Sequence, residues 1–513
     1  MIIKLRENSL YKRIVFLALL FGCLKAGNSL ANDLQIDNLE IVSQSISSGT
    51  ATIQFDIAWD NSWKNFTSYD AVWFFIKYLD GPGSSWQHGT FASFGANPSG
   101  FYRGSGTDVD IIVPPDKAGC FIQRSDKGSG SLDTNGIRIV WDYQADGLGD
   151  DLTSIGLKLF AIEMVYIPQG PFFAGDNQTS TAAFDQGKSL SESDPWYITS
   201  ENAINVTDVS ENGYYYNSAG NTGENASGDE FIIPVSFPKG YDAFYIMKYE
   251  ISQGQYGDFL NTISVSQAFN RYPDQDGNNR HAISGAHPNY FDARPDRACN
   301  YLSWMDICAY ADWAALRPLS ELEFEKAARG KDVMVTNGEY AWGNTSITQA
   351  ATIIGTEDGR ERLSNVEANC NYNNQTFSGG DGGAGPLRAG IFSTSTSSRQ
   401  QAGASYYGVM ELSGNVWERC VTAGNSAGRS FQGMEGDGVL ETSAGCEGNA
   451  TNIHWPGYVN GQGVSGAVGS GFRGGGWQET TAAKMAVSDR SKAAYTDISR
   501  GVDMGGRCAR GYP

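Results

Sequence analysis

The densest gathering of hard ligand groups in the chain is the segment Glu411-Leu-Ser-Gly-Asn-Val-Trp-Glu418. Its two carboxylates flank the turn Ser413-Gly-Asn-Val416, so carboxylate oxygens and backbone carbonyls can meet on one cation, the oxygen ligation that Ca²⁺ prefers. Without a cation, the same two glutamates read as a solvated pair or a pair bridged by arginine. A second polar run contains Glu479, Lys484, Asp489 and Arg490. It is either a salt-bridged face in solvent or a cluster able to do chemistry. The four histidines are His88, His281, His287 and His454. His281 and His287 stand six apart, without the spacing that would put both on one helix face, so spacing gives no support to a histidine metal site. No GxSxG, Walker A or HExxH motif is present. The eight cysteines form no CxxC pair, which excludes a zinc ribbon or a thioredoxin-type motif.

Elements must position these groups, and the chain is long enough to build them. Its 513 residues carry 63 glycines, 16 prolines and a formal charge of -20. That length predicts two or three domains with their own cores, and that charge argues against nucleic acid or an anionic membrane as a partner. The N-terminus reads as an export signal over residues 1–31, with Lys12 and Arg13 ahead of the apolar run Ile14–Phe21 and small residues at Ser29 and Ala31. Removing it would take away a charge of +4 and leave -24. Leu20-Phe21-Gly22-Cys23 also resembles a lipoprotein cleavage box, which would tether the protein at Cys23. No later stretch is apolar enough for a membrane helix, so the mature chain is expected to be secreted, periplasmic or held on an outer surface by its end. Seven cysteines then remain, an odd number, and leave at least one thiol free or intermolecular, with disulfide pairing open.

From Asp33 to Ile162 short strands alternate with turns. In Thr52-Ile-Gln-Phe-Asp-Ile-Ala-Trp59 the apolar residues fall on one face. Residues 33–162 therefore predict an all-β sandwich, immunoglobulin- or fibronectin III-like in architecture. Trp59, Trp63, Trp73 and Trp86 are assigned to packing rather than to a sugar-binding face. From Met164 the pattern changes to a loop-rich background with three helices: one opened by the capping box of Ser252 and Gln255, one over 304–316, and one from Ser320 with Glu323 to Gly330. The chain beyond Gly330 has little periodicity and needs fasteners such as buried tryptophans, ion sites or disulfides.

The order of motifs in this second part carries a resemblance. Met164-Val-Tyr-Ile-Pro-Gln-Gly170, Arg317-Pro-Leu-Ser-Glu-Leu-Glu-Phe-Glu-Lys-Ala-Ala-Arg-Gly330, Tyr340-Ala-Trp-Gly-Asn344, Gly408-Val-Met-Glu-Leu-Ser-Gly-Asn-Val-Trp-Glu418, Phe472-Arg-Gly-Gly-Gly-Trp477 and Gly506-Arg-Cys-Ala-Arg510 follow one another. Over about 163–511 the chain resembles the formylglycine-generating enzyme, or sulfatase-modifying factor, family. The resemblance implies an irregular α+β domain related to the C-type lectin fold over 163–513. It also implies calcium at Glu411, Glu418 and the carbonyls of Gly414 and Val416, and a second calcium at Asn369, Asp381 and the carbonyls of Cys370 and Gly383. The family's founding activity oxidises a sulfatase cysteine to formylglycine with two cysteines that hold copper. Aligned without gaps, those positions carry Glu479 and Lys484, so the soft thiolate pair is missing and copper is not expected.

The expectation is thus an exported bacterial envelope protein whose calcium-stabilised C-terminal domain binds a protein or glycan ligand, with Tyr406, Tyr407, His454, Trp455 and Tyr458 as aromatic candidates and the N-terminal sandwich as a spacer. The rival expectation is a metal-dependent oxidoreductase on the same fold.

Overall fold

A computed structural model describes residues 34–81, 83–187, 194–209, 213–374 and 376–513. The expected export signal and Cys23 lie outside these residues.

The alternating residues of the N-terminal part build two facing sheets. Four antiparallel strands, in the order Gln35–Ser45, Thr50–Lys64, Gly128–Trp141 and Tyr102–Gly106, make one. Ile53, Phe55, Ile57 and Trp59 point from it into a core completed by Val72, Phe74 and Ile76 of the strand Asp70–Asp80. Phe55 stacks on Phe74 with ring centroids 4.3 Å apart.

The second sheet does not stop at the end of this part. Along its main path it runs Arg317–Pro318, Cys508–Gly511, Phe244–Met247, Ile155–Ile167, Asp70–Asp80, Cys120–Arg124, Val109–Val113 and Gly95–Ala96. The expected boundary at residues 162 and 163 falls inside the strand Ile155–Ile167, which pairs along its length with Asp70–Asp80 and at its end with Phe244–Met247. The near-continuous apolar run of Asp70–Asp80 follows from this position, because both of its faces are covered. Val72, Phe74 and Ile76 face the sandwich, while Trp73 and Phe75 face the core of the C-terminal part. There the Trp73 indole donates to the Ala314 carbonyl at 2.8 Å, and Phe75 meets Trp313 edge-on.

The C-terminal part is β-rich with few helices. α1 (Gln253–Leu260), α2 (Val265–Arg271), α3 (Trp304–Trp313) and α4 (Glu321–Arg329) each begin with a complete capping box, at Ser252, Ser264, Ser303 and Ser320. Such a box satisfies two backbone donors that would otherwise be orphaned at the helix start. α2 was not foreseen from the sequence.

The fasteners of the irregular region are buried ion pairs. Glu321, Glu323 and Glu325 of α4 are all buried and pair with Arg490, Arg317 and the two arginines Arg329 and Arg473. Arg490 is therefore a core residue and not part of a solvated face. None of the seven described cysteines is paired, and six of them are buried.

Candidate functional site

The turn at Glu411 lies in the core between the strand Trp417–Val421 and the end of Phe244–Met247. Glu411, Gly414 and Asn415 all take left-handed backbone angles, with φ of 55°, 89° and 67°. At Gly414 a Cβ would sit 2.4 Å from the Cys370 sulfur, so only glycine fits. Glu250, from the segment after Phe244–Met247, caps the turn: it accepts the Val416 N–H at 2.9 Å and the Asn415 amide at 2.5 Å. Glu418 is gripped in a two-pronged pair by Arg507, at 2.6 and 2.8 Å, and Arg507 also donates to the carbonyls of Met247, Lys248 and Met410. Glu411 accepts one bond, from Gly390 N–H at 2.8 Å, and its other oxygen is buried without a partner among the described residues.

The charge of this cluster does not balance. Three buried carboxylates, Glu250, Glu411 and Glu418, face the single guanidinium of Arg507, while nearby Arg388 is paired with Glu361. Burial pushes the Glu411 carboxyl up to about 7, and burial together with the Glu418 charge holds Glu250 well above the usual carboxylate range. A proton or a cation must relieve such a cluster. The orphan oxygen of Glu411 fits a hard cation, whereas Glu418 has both oxygens engaged by Arg507, the arginine-bridged arrangement.

The second group of proposed calcium ligands fits less well. Asp381 is bound by Arg280 at 2.5 Å and Arg297 at 2.7 Å, and both arginines also hold Glu357. The Asn369 side chain accepts from Thr348 N–H, the Cys370 carbonyl from Ala350 N–H and the Gly383 carbonyl from Phe377 N–H. Two guanidinium groups already supply the positive charge that a cation would bring.

The positions matched to the copper cysteines are both partly exposed. Glu479 accepts from Lys492 at 3.0 Å and from the Trp417 indole at 3.1 Å, and Lys484 lies 3.9 Å from Asp489. The buried thiols, Cys120, Cys299, Cys308, Cys370, Cys420 and Cys508, are all pushed up by burial, the opposite of an activated thiolate. His281 is buried beside Asn300 and pushed down to about 4 by burial, while His287 and His88 are bound to the backbone carbonyls of Ile263 and Ala118. Among the described residues no three His, Cys, Asp or Glu side chains converge in a metal-holding arrangement.

The five aromatic candidates divide between two places. His454, Trp455 and Tyr458 line a hollow of about 300 Å³, where Trp455 is buried and its indole donates to the Met434 carbonyl. Tyr406 and Tyr407 line a separate cleft of about 390 Å³ together with Trp63, Asn65, Lys248 and Tyr249. The sequence reading weighed Trp63 as a ligand surface but assigned it to packing, and it missed Asn65.

Comparison with known proteins places this geometry. A family model described as the sulfatase-modifying factor enzyme 1-like domain matches residues 161–512. The formylglycine-generating enzyme of Thermomonospora curvata is 33% identical over 131 residues, 25% of this chain and 34% of that protein. The formylglycine-generating enzyme of Bos taurus is 27% identical over 130 residues, 20% of this chain and 34% of that protein. The chain spans about a third of the length of these curated relatives. The family match covers well over half of the chain and begins within the strand that joins the two parts; the chain belongs to the formylglycine-generating enzyme, or sulfatase-modifying factor, family.

Proposed function

We propose that this chain is an exported, non-catalytic member of its family that binds a protein or glycan ligand at the cell surface, with calcium at the Glu411 turn. One observation carries the reading: Glu479 and Lys484 stand where the family's copper-holding cysteines are expected, and each is paired with an opposite charge. Neither a carboxylate nor an ammonium replaces a thiolate toward Cu(I). The buried excess of carboxylates and the orphan oxygen of Glu411 support calcium at the turn. The N-terminal run of residues 1–31 supports export.

A second reading has its own support, the relatives' being formylglycine-generating enzymes, and would make the chain a metal-dependent oxidoreductase. One experiment separates the two. The chain from Asp33 onward is loaded with calcium, copper or iron, dialysed and analysed for metal, then incubated in air with a cysteine peptide from a sulfatase and probed for aldehyde. The binding reading expects calcium, no stoichiometric copper or iron, and no aldehyde. Copper or iron at one per chain together with aldehyde would replace it with the oxidoreductase.

A further inference from the structure

The cleft at Tyr406 lies on the seam between the two parts of the chain. One wall comes from the end of the strand Thr50–Lys64 and the turn after it, with Trp63 and Asn65, and the other from the loops that carry Ser393, Tyr406 and Tyr407. We propose that this cleft is a binding site for an uncharged oligosaccharide, a proposal that rests on the binding-module reading and names its ligand.

Three properties of the lining carry the inference. The first is aromatic surface held rigid from behind. Tyr406 is 45% exposed, yet a Cβ at Gly330 would lie 2.4 Å from its ring, so the ring is seated against backbone. Trp63 is seated similarly, 3.0 Å from a Cβ built on Gly408. Rings fixed in advance lose little freedom on binding; Tyr406 offers an apolar ring to the C–H side of a sugar, whereas one face of Trp63 is taken by the Lys248 ammonium.

The second is polar capacity without charge. Asn65 uses its side-chain oxygen on the Thr67 and Ser68 N–H groups, at 2.8 and 2.9 Å, which fixes the amide and leaves its nitrogen as a donor without a partner among the described residues. Hydroxyl and amide groups can donate and accept at once, as a ring of sugar hydroxyls requires.

The third is the charge of the lining. Among the described residues no carboxylate lines the cleft, and of its two cations Lys248 is already ion-paired. Lys248 lies 3.7 Å from Asp70 and 3.6 Å from Glu163, over the face of Trp63. Arg399 donates to the carbonyls of Ala341 and Ala404. The overall charge of -20 would repel an anionic ligand at long range. The volume of about 390 Å³ is that of a small-ligand cleft, which usually spans roughly 300–1,000 Å³. A protein partner would need a broader contact, about 800 Å² on each side.

The test uses the chain from Asp33 to its C-terminus, labelled and applied to an array of neutral glucose, galactose, mannose and N-acetylglucosamine oligomers, with the strongest binder titrated by calorimetry. Tyr406→Ala should weaken that binding at least about tenfold. Asn65→Asp, which keeps the turn acceptor and deletes the donor, should weaken it similarly. Tyr102→Ala, an exposed ring outside the cleft, should leave it unchanged, and all three variants should melt within a few degrees of the parent. Absence of any bound neutral glycan overturns the proposal, as does binding indifferent to Tyr406→Ala and Asn65→Asp. Capture of a protein partner without any glycan overturns the saccharide while leaving the binding-module reading intact. Aldehyde formation on the cysteine peptide overturns the binding-module reading instead.

Discussion

Glu411 is the residue whose ionisation the fold opposes most usefully. Its carboxyl ordinarily titrates near 4.5 and is pushed up to about 7 by burial, so the folded chain keeps a proton that the unfolded chain has released. The sign follows: stability contributed by this group is present below about pH 4.5, falls as pH rises toward about 7 and stays lost above it. A shift of that size corresponds to about 3 kcal/mol. A cation at the orphan oxygen favours the ionised form and opposes the loss. In chelator, thermal unfolding should therefore show a midpoint that falls between pH 5 and pH 8, and calcium should raise it more at pH 8 than at pH 5. Glu411→Gln keeps the bond from Gly390 and should flatten the slope and remove the calcium response. A midpoint of the parent that is independent of pH and calcium would refute the assignment. The two flanking carboxylates were legible in the sequence because both are hard ligands around a turn. Glu250 and Arg507 were not, since they arrive from 161 residues before and 96 residues after Glu411 and no local pattern announces a partner so far away.

At the scale of elements, the capping boxes repeat as a signal that outperforms periodicity. α1 and α4 were legible through their boxes, and α3 was placed without one; its box at Ser303 with Asp306 emerges only in the structure. α2 has the same box at Ser264 and Gln267, but its sequence pattern is inverted: Val265 and Phe269 are 66% and 81% exposed, while Gln267 and Arg271 are buried. A reader of hydrophobic faces passes over it. Because little apolar surface holds this helix, its cap should matter, and Ser264→Ala should cost about 1 kcal/mol. The check is chemical denaturation, with faster amide exchange confined to 265–271; a variant as stable as the parent would show that the cap is dispensable. Trp63, assigned to packing, is partly buried against the core and also lines the cleft. A register shift between Trp59 and Ser62 in the pairing with Gly128–Trp141 breaks the alternation that put Ile53, Phe55, Ile57 and Trp59 inside, and it turns Trp63 toward the cleft.

For the molecule as a whole, the continuous sheet should make the two parts unfold as one cooperative body. The strands themselves were legible from composition and alternation, but their order was not, because which strand lies beside which leaves no local trace. Splitting the chain at residues 162 and 163 would cut a strand and uncover Trp73, Phe75, Phe160 and Trp313, which pack together across the junction. Calorimetry of the chain from Asp33 onward should accordingly give one transition, and a fragment of residues 163–513 alone should be insoluble or molten. Two separate transitions, with the fragment reproducing one of them, would show that the halves are independent.

The place of the last strand adds a matter of timing. Cys508–Gly511 lies inside the large sheet, between Phe244–Met247 and Arg317–Pro318, although it comes far later in the chain than either. Arg510, with its guanidinium over Trp73, ties that final strand back to Asp116 in the N-terminal part. The first sheet can form from neighbouring stretches of chain, yet the second keeps an open edge until Cys508–Gly511 has docked. Closure of the large sheet is therefore a late step of folding, made by a strand whose partners lie far back in the chain.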